Sequence, residues 1–339
     1  MSFLRSHCLA LALLLWPAMA RAGDPPGPLD PEVARALRQV PYDPLPKQLS
    51  ADAHFVVSDE KAHWVFRPAV AGLGGALVGV GTDPNYLFAG WAGSELLVLL
   101  DFDQVVVDVH AIYRLAFLHN PDIPSFLSAW SPARAREMED RIREGVASEE
   151  DRARILRAFR IARNLIDWRL RGIRKEYRKQ GVRTFLDDPD QYRHLRGLFL
   201  AERVFAIRGD LTGRKAVREV GRILREARIP LRIYYPSNAE KYFECSPDYR
   251  ENMRSLPFDD RSVVVRTAGG WGPPENSPDG FYTYLAQRGP DFLAWMEDGV
   301  SCGFKRLVSA RRPDKAHPGL HWIALPPSRR TPPAEAPRR

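Results

Sequence analysis

Cysteine is scarce in this chain of 339 residues: there are three, at positions 8, 245 and 302. That excludes a fold held mainly by disulfides, and no two of them stand at a zinc-binding spacing. The eight histidines form no metal pattern either. His317 and His321 have the spacing of ligands one helical turn apart, but Pro318-Gly319 between them break a helix. Any Gly-x-Ser-x-Gly is also missing, which excludes a hydrolase whose serine sits on a sharp strand-to-helix elbow. Beyond Ala22 no run is long and apolar enough to span a bilayer, which takes about 20 residues.

What is present begins with an export signal. Arg5 supplies a positive start, Leu9 to Trp16 an apolar run, and Ala20-Arg21-Ala22 a small-x-small cleavage site. The apolar run is short for a spanning helix, so cleavage after Ala22 is expected, with an uncleaved anchor as the alternative. The mature chain is then periplasmic or secreted. Cleavage removes Cys8 and leaves Cys245 and Cys302 in a compartment where disulfides persist. A single bridge and two unpaired core thiols both remain open, because spacing does not show whether their Cα atoms approach.

The formal charge is +8, and much of the excess sits in one place. Between Arg134 and Arg183 there are 16 Arg or Lys against 9 Asp or Glu, a local +7. One reading is a face that meets an anionic envelope surface. The preferred reading is a solvated helix face on which opposite charges alternate at helical spacing. We expect no nucleic-acid partner.

Prolines between Gly23 and Ser50 forbid continuous secondary structure and leave a linker or strap, with one short helix from Pro31 to Val40. Residues 326–339 are rich in Pro and Arg and are expected to be disordered. The body, 51–325, reads as one α/β domain on a Rossmann-like, doubly wound, mostly parallel sheet. Short apolar runs bounded by turn residues suit buried parallel strands: Ala76 to Val80, Glu95 to Leu100, Arg203 to Ile207, Leu231 to Tyr235, Ser262 to Arg266 and Phe281 to Ala286. Helical patterns separate them at Gln104 to His119, Gly213 to Arg228, and Ala239 to Leu256 with a break at Pro247. A helical insertion spans about 121–198. In it Ile155, Phe159, Ala162, Ile166, Leu170, Ile173 and Tyr177 step by three or four and form one packing stripe.

Candidate site residues lie where these strands end. The first runs into Gly79-Val80-Gly81-Thr82-Asp83-Pro84-Asn85, and glycines at such a turn let backbone approach a ligand. Asp101 closes the second strand, where a carboxylate can accept both hydroxyls of a ribose. Asp210 follows the third strand, and Ser237-Asn238 follow the fourth. Gly79, Gly81, Asn85, Asp101, Asp210 and Asn238 therefore form the candidate ligand edge. We expect the first strand to be central, with the second and third on either side, so that Asp101 and Asp210 flank the glycine turn. Capping is the competing role for Asp210, Ser237 and Asn238. His110 shares a helix stripe with Val106, Tyr113 and Phe117 and reads as a packing residue before a general base.

Two resemblances bear on function. Leu97 to Asp108 resembles the opening motif of haloacid-dehalogenase-type phosphatases. That implies Asp101 as a Mg²⁺-assisted nucleophile, Asp103 as acid/base, Ser237 as a phosphate-holding hydroxyl and Asp259-Asp260 as the late acidic pair. Gln104-Val105 departs from the motif's usual Gly-Thr. The wider chain, roughly 50–290, resembles an uncharacterised bacterial family with a fold similar to S-adenosylmethionine-dependent methyltransferases. The matching pieces include Gly79-Val80-Gly81, the strand ending in Asp101, Gly209-Asp210-Leu211-Thr212-Gly213, Tyr234 to Glu240 and Leu256 to Val264. The resemblance implies S-adenosylmethionine as the cofactor type and Gly79, Gly81 and Asp101 as the cofactor edge. Since that metabolite is cytoplasmic and the chain carries an export signal, three functions stand side by side: a methyltransferase-type enzyme, a phosphohydrolase, and a non-catalytic envelope protein binding a small molecule.

Overall fold

A computed structural model of the chain describes residues 27–49, 53–270, 277–298, 302–326 and 328. The proposed leader and its cleavage site, and nearly all of the Pro- and Arg-rich tail, lie outside the described residues. No described helix is long and apolar enough to cross a membrane.

The first element of the described residues is α1 (Pro31–Arg38), capped by Asp30, whose carboxylate accepts from the Glu32 and Val33 amides. After a short turn of helix, α2 (Arg67–Val70), the apolar run at 76 becomes β1 (Ala76–Val80). There follow α3 (Asp83–Ala92), β2 (Leu96–Asp101) and α4 (Gln104–His119). The insertion comprises α5 (Ile123–Ala129), α6 (Ala135–Gly145), α7 (Glu149–Lys179) and α8 (Pro189–Leu200). The rest is β3 (Val204–Arg208), α9 (Ala216–Glu226), β4 (Leu231–Ser237), α10 (Pro247–Ser255), β5 (Phe258–Gly269), β6 (Tyr282–Arg288), α11 (Gly289–Glu297), α12 (Phe304–Ser309), β7 (Arg311–Pro313) and β8 (Leu320–Ile323).

All eight strands of the described residues join one sheet in the order β3-β2-β1-β4-β5-β6-β8-β7. The five strands from β3 to β5 are mutually parallel, and β6 runs antiparallel to β5. This is a mixed α/β fold on a mostly parallel sheet. Helices cover both faces: α3, α4 and the insertion pack on one, and α1, α9, α10, α11 and α12 on the other. The stripe foreseen on α7 is buried throughout.

The strand order corrects one expectation. β1 lies between β2 and β4, and β3 lies beyond β2 at the sheet's edge. The burial pattern gives the reason: β2 is buried at all six positions, while β3 alternates between buried and half-buried. Arg203 and Arg208 at the ends of that run suit an edge strand. The strap covers this edge, the Asp43 amide donating to the Arg208 carbonyl at 3.3 Å.

Two further differences emerge. Helix α3 starts at Asp83-Pro84, where the glycine turn alone was expected; it is buried on nearly all sides, so no amphipathic period betrays it. Strands β7 and β8 were not foreseen, being only three and four residues long. Of the two readings left open for the cysteines, Cys245 and Cys302 are bridged, with Cα atoms 5.7 Å apart.

Candidate functional site

The glycine turn after β1 is built from beneath. A Cβ on Gly79 would lie 1.8 Å from Oδ1 of Asn85, and Gly81 has φ +74°, so both positions require glycine. The Asn85 side-chain Nδ2 donates to the carbonyls of Val80, Gly81 and Thr82 at 3.0, 3.1 and 3.3 Å. His110 holds the same turn from α4, its Nε2 3.0 Å from the Gly81 carbonyl and its Nδ1 2.7 Å from the Tyr86 hydroxyl. A carbonyl can only accept, so Nε2 carries the proton and Nδ1 accepts from Tyr86. Burial lowers the His110 pKa to about 4, which keeps the ring neutral. Gly79, Asn85 and His110 thus shape the turn from below.

Above the turn, the carboxyl ends of β1, β2 and β4 enclose a cleft of about 230 Å³, roofed by residues 53–59 of the incoming chain. Gly81, Asp101 and Asn238 line it. Asp101 accepts from the Gly81 amide at 3.2 Å and from the Asp103 amide at 2.9 Å. Burial pushes its pKa up to about 7; the Asp103 charge adds to this, and the amides of Asp103, Gly81 and Phe102 oppose it. Near neutral pH the Asp101 carboxyl therefore both donates and accepts. Although Arg208 stands opposite Asp101 across the β2–β3 ladder, its guanidinium goes to Gln104 and to the Asp43 carbonyl.

Asp103 also lines the cleft. One oxygen caps α4 through the Val105 amide at 2.9 Å, and the other lies 2.7 Å from Nδ1 of His54. The carboxylate thereby fixes the ring orientation and, in the neutral imidazole, leaves Nε2 as the basic nitrogen. His54 is about one-third exposed, whereas Asp103 is buried.

The cleft floor rests on a polar network that sequence reading did not find. Glu60 is buried and accepts from the hydroxyls of Ser58 at 2.5 Å, Tyr235 at 2.7 Å and Ser237 at 2.8 Å, and from Thr267. His63 Nε2 lies 3.0 Å away. Burial alone would raise the Glu60 pKa, but His63 and the hydroxyls more than offset it and bring it down to about 2. Arg169, reaching in from α7, binds Asp83 at 2.8 Å and the Glu60 carbonyl at 2.8 Å. Ser237 has φ +55°, an uncommon conformation for a residue with a Cβ. No repeat or motif announces this set, since its members come from five separate segments and meet only on folding. The three-residue step from Glu60 to His63 is the one local trace.

Asp210 does not join the cleft. Its strand is two places from β1, and its carboxylate accepts from the Thr212 amide and hydroxyl, both at 2.8 Å. Asp101 and Asp210 therefore do not flank the glycine turn. Asp259 sits at the amino end of β5, paired with Arg232, on the edge opposite the cleft. A second hollow of about 350 Å³ runs along the outer edge of β3 under the strap and away from the strand ends.

The lining chemistry of the cleft is one-sided. It includes Asp59, Asp101 and Asp103, and no Lys or Arg is among its described lining residues. Phe55, Phe102, Tyr235 and Tyr242 supply aromatic surface.

A family profile described as "Domain of unknown function (DUF7790)" matches residues 55–323, a span holding all eight strands and most of the cleft lining. No curated protein matches the chain.

Proposed function

The chain belongs to the DUF7790 family, and from its cleft we propose that it binds one small, phosphate-free, nucleoside-like ligand that is neutral or cationic, of the adenosyl type. One observation carries this reading: a cleft at the carboxyl ends of parallel strands, walled by aromatic rings and carboxyls, with no cation among its described lining residues. A phosphate there would face Asp59, Asp101 and Asp103 without an opposing charge. A planar base suits Phe55, Phe102 and Tyr242, and a sulfonium or ammonium centre is drawn to carboxylates and ring faces alike.

Position supports the same reading. In open parallel sheets, ligands sit where neighbouring connections leave toward opposite faces, and here the cleft spans β1, β2 and β4. We read the sheet as Rossmann-like and methyltransferase-like on this ground. Asp101, poised near pH 7, suits a ribose diol. Asp103 in the cleft lining, hydrogen-bonded to His54, favours a ligand that is acted upon over one merely held, because a carboxylate backed by an imidazole can take up a proton. The phosphohydrolase reading has less support, since the Asp101 and Asp103 oxygens are bonded to backbone amides and His54, and Asp259 lies on the far edge of the sheet. Export after Ala22 remains part of the proposal.

Calorimetric titration of the full chain with adenosine, S-adenosylmethionine and ATP tests it. The first two should bind more tightly than ATP. Asp101→Ala should weaken them about tenfold or more, as expected for losing a hydrogen bond to a charged or polarised group of about 1.5–3 kcal/mol. Tighter binding of ATP, or affinity that ignores Asp101→Ala, would overturn the reading.

A further inference from the structure

The 31-residue helix α7 is apolar on two sides. Its inner stripe, through Ile166 and Leu170, is buried in the core. On the outer side Ile161, Leu165 and Trp168 stand at i, i+4 and i+7, with 38%, 45% and 67% of their surface exposed. That spacing places three large apolar side chains along one ridge. Scattered exposed residues of this size need no explanation, but an aligned set ending in a tryptophan marks a contact surface.

The charges around the ridge say what kind. Arg157 and Lys175 continue it at either end, and Arg160 and Arg171 flank it; all four are exposed. On α7 itself Asp167 is the one acidic residue between Arg157 and Lys175, and it is bound to Arg171 at 2.9 Å; from α6, Glu139 lies 3.3 Å from Arg160, so Arg157 and Lys175 carry the excess positive charge of the ridge. Two copies of this face brought together would press arginine and lysine against their like, so charge argues against self-association. A convex helical ridge also suits a flat, deformable surface better than a groove. Tryptophan prefers the boundary between hydrocarbon and headgroups, and arginine stems lie along apolar surface while their heads reach phosphate.

We propose that the outer face of α7 is a docking surface for an anionic lipid bilayer, Ile161, Leu165 and Trp168 entering the headgroup boundary and Arg157 and Lys175 meeting lipid phosphates. Binding of this kind combines apolar burial with electrostatic attraction, so it depends on both ridge and charge. It is independent of the ligand cleft, which lies at the strand ends.

Co-sedimentation of the full chain with phosphatidylglycerol-containing vesicles, against phosphatidylcholine alone, tests the proposal. The chain should sediment with the anionic vesicles and be released at about 0.5 M salt, where charges are screened within a few ångströms. Trp168→Glu should cut the bound fraction about tenfold, and the paired change Ile161→Gln with Leu165→Gln should act in the same direction. Leu200→Glu, at an exposed apolar residue on a different helix, should leave it unchanged. The melting temperatures of all variants are read alongside, so that loss of binding is separated from loss of fold. Sedimentation that survives Trp168→Glu, equal binding to neutral vesicles, preferential capture by soluble polyglutamate, or a solution dimer that Trp168→Glu splits would each overturn it.

Discussion

Asp101 lines the cleft and Glu60 lies beneath it, and the surroundings of these two buried carboxyls drive them in opposite directions. Glu60 is surrounded by donors, so its ionised form is favoured and its pKa falls to about 2. Its contribution to stability is present above the unfolded carboxylate range and is lost as pH falls toward 2. Asp101 has backbone amides alone against burial and a neighbouring Asp103, and its pKa rises to about 7. Here the sign is reversed: the folded state binds the proton more tightly than the unfolded chain, so stability is fullest below about pH 4 and declines as pH rises through 7. We expect the melting temperature of the wild-type chain to fall between pH 5 and pH 8.5, and that of Asp101→Asn to fall by clearly less. At about 1.4 kcal/mol per pH unit, the difference is on the order of a few kcal/mol. Equal slopes for the two proteins would contradict the assignment. Asp101 was legible as a candidate because it ends an apolar run. Its proton affinity was not, because that depends on Asp103 and on the roof of residues 53–59.

Among the elements, α4 matches the sequence reading at both ends, Gln104 and His119, although most of its residues are buried; Asp103, read from the sequence as a phosphatase-type acid/base, caps it. Helix α9 shows the reverse. It begins at Ala216, with Lys215 at its cap position and no side-chain bond from its own residues. The partner comes from the strap, where Asp43 accepts from the amides of Lys215 at 3.2 Å, Ala216 at 3.4 Å and Asp210 at 3.1 Å. A cap supplied 172 residues away has no local signature. Asp43→Ala should therefore cost about 1–2 kcal/mol, the usual penalty for losing a cap. Hydrogen exchange should show faster exchange in both α1 and the start of α9. A loss confined to α9, with the strap unaffected, would mean that Asp43 does not couple them.

For the whole molecule, the bridge between Cys245 and Cys302 ties the segment before α10 to the start of α12 across a separation of 57 residues. Loop closure over that length suggests about 2–4 kcal/mol of stabilisation. Reduction, or Cys302→Ser, should lower the melting temperature without abolishing adenosyl-ligand binding, since neither cysteine lines the cleft. Ligand affinity that collapses in Cys302→Ser at a temperature where the fold persists would place the bridge in the site. The same bridge suits an exported chain, as disulfides persist outside the reducing cytoplasm.

The division between sequence and structure follows the range of the forces involved. Strand runs, the α7 stripe, the bounds of α4 and the glycine turn follow from neighbours within about one or two helical turns, and the sequence by itself determined them. The order of strands, the edge position of β3 and the exclusion of Asp210 from the cleft depend on which apolar faces bury against which. So does the meeting of Glu60, His63, Ser237, Thr267 and Arg169 beneath the cleft. Burial and hydrogen bonding between segments as much as 223 residues apart are settled only when the chain has closed on itself, and for that reason the tertiary structure alone decided them.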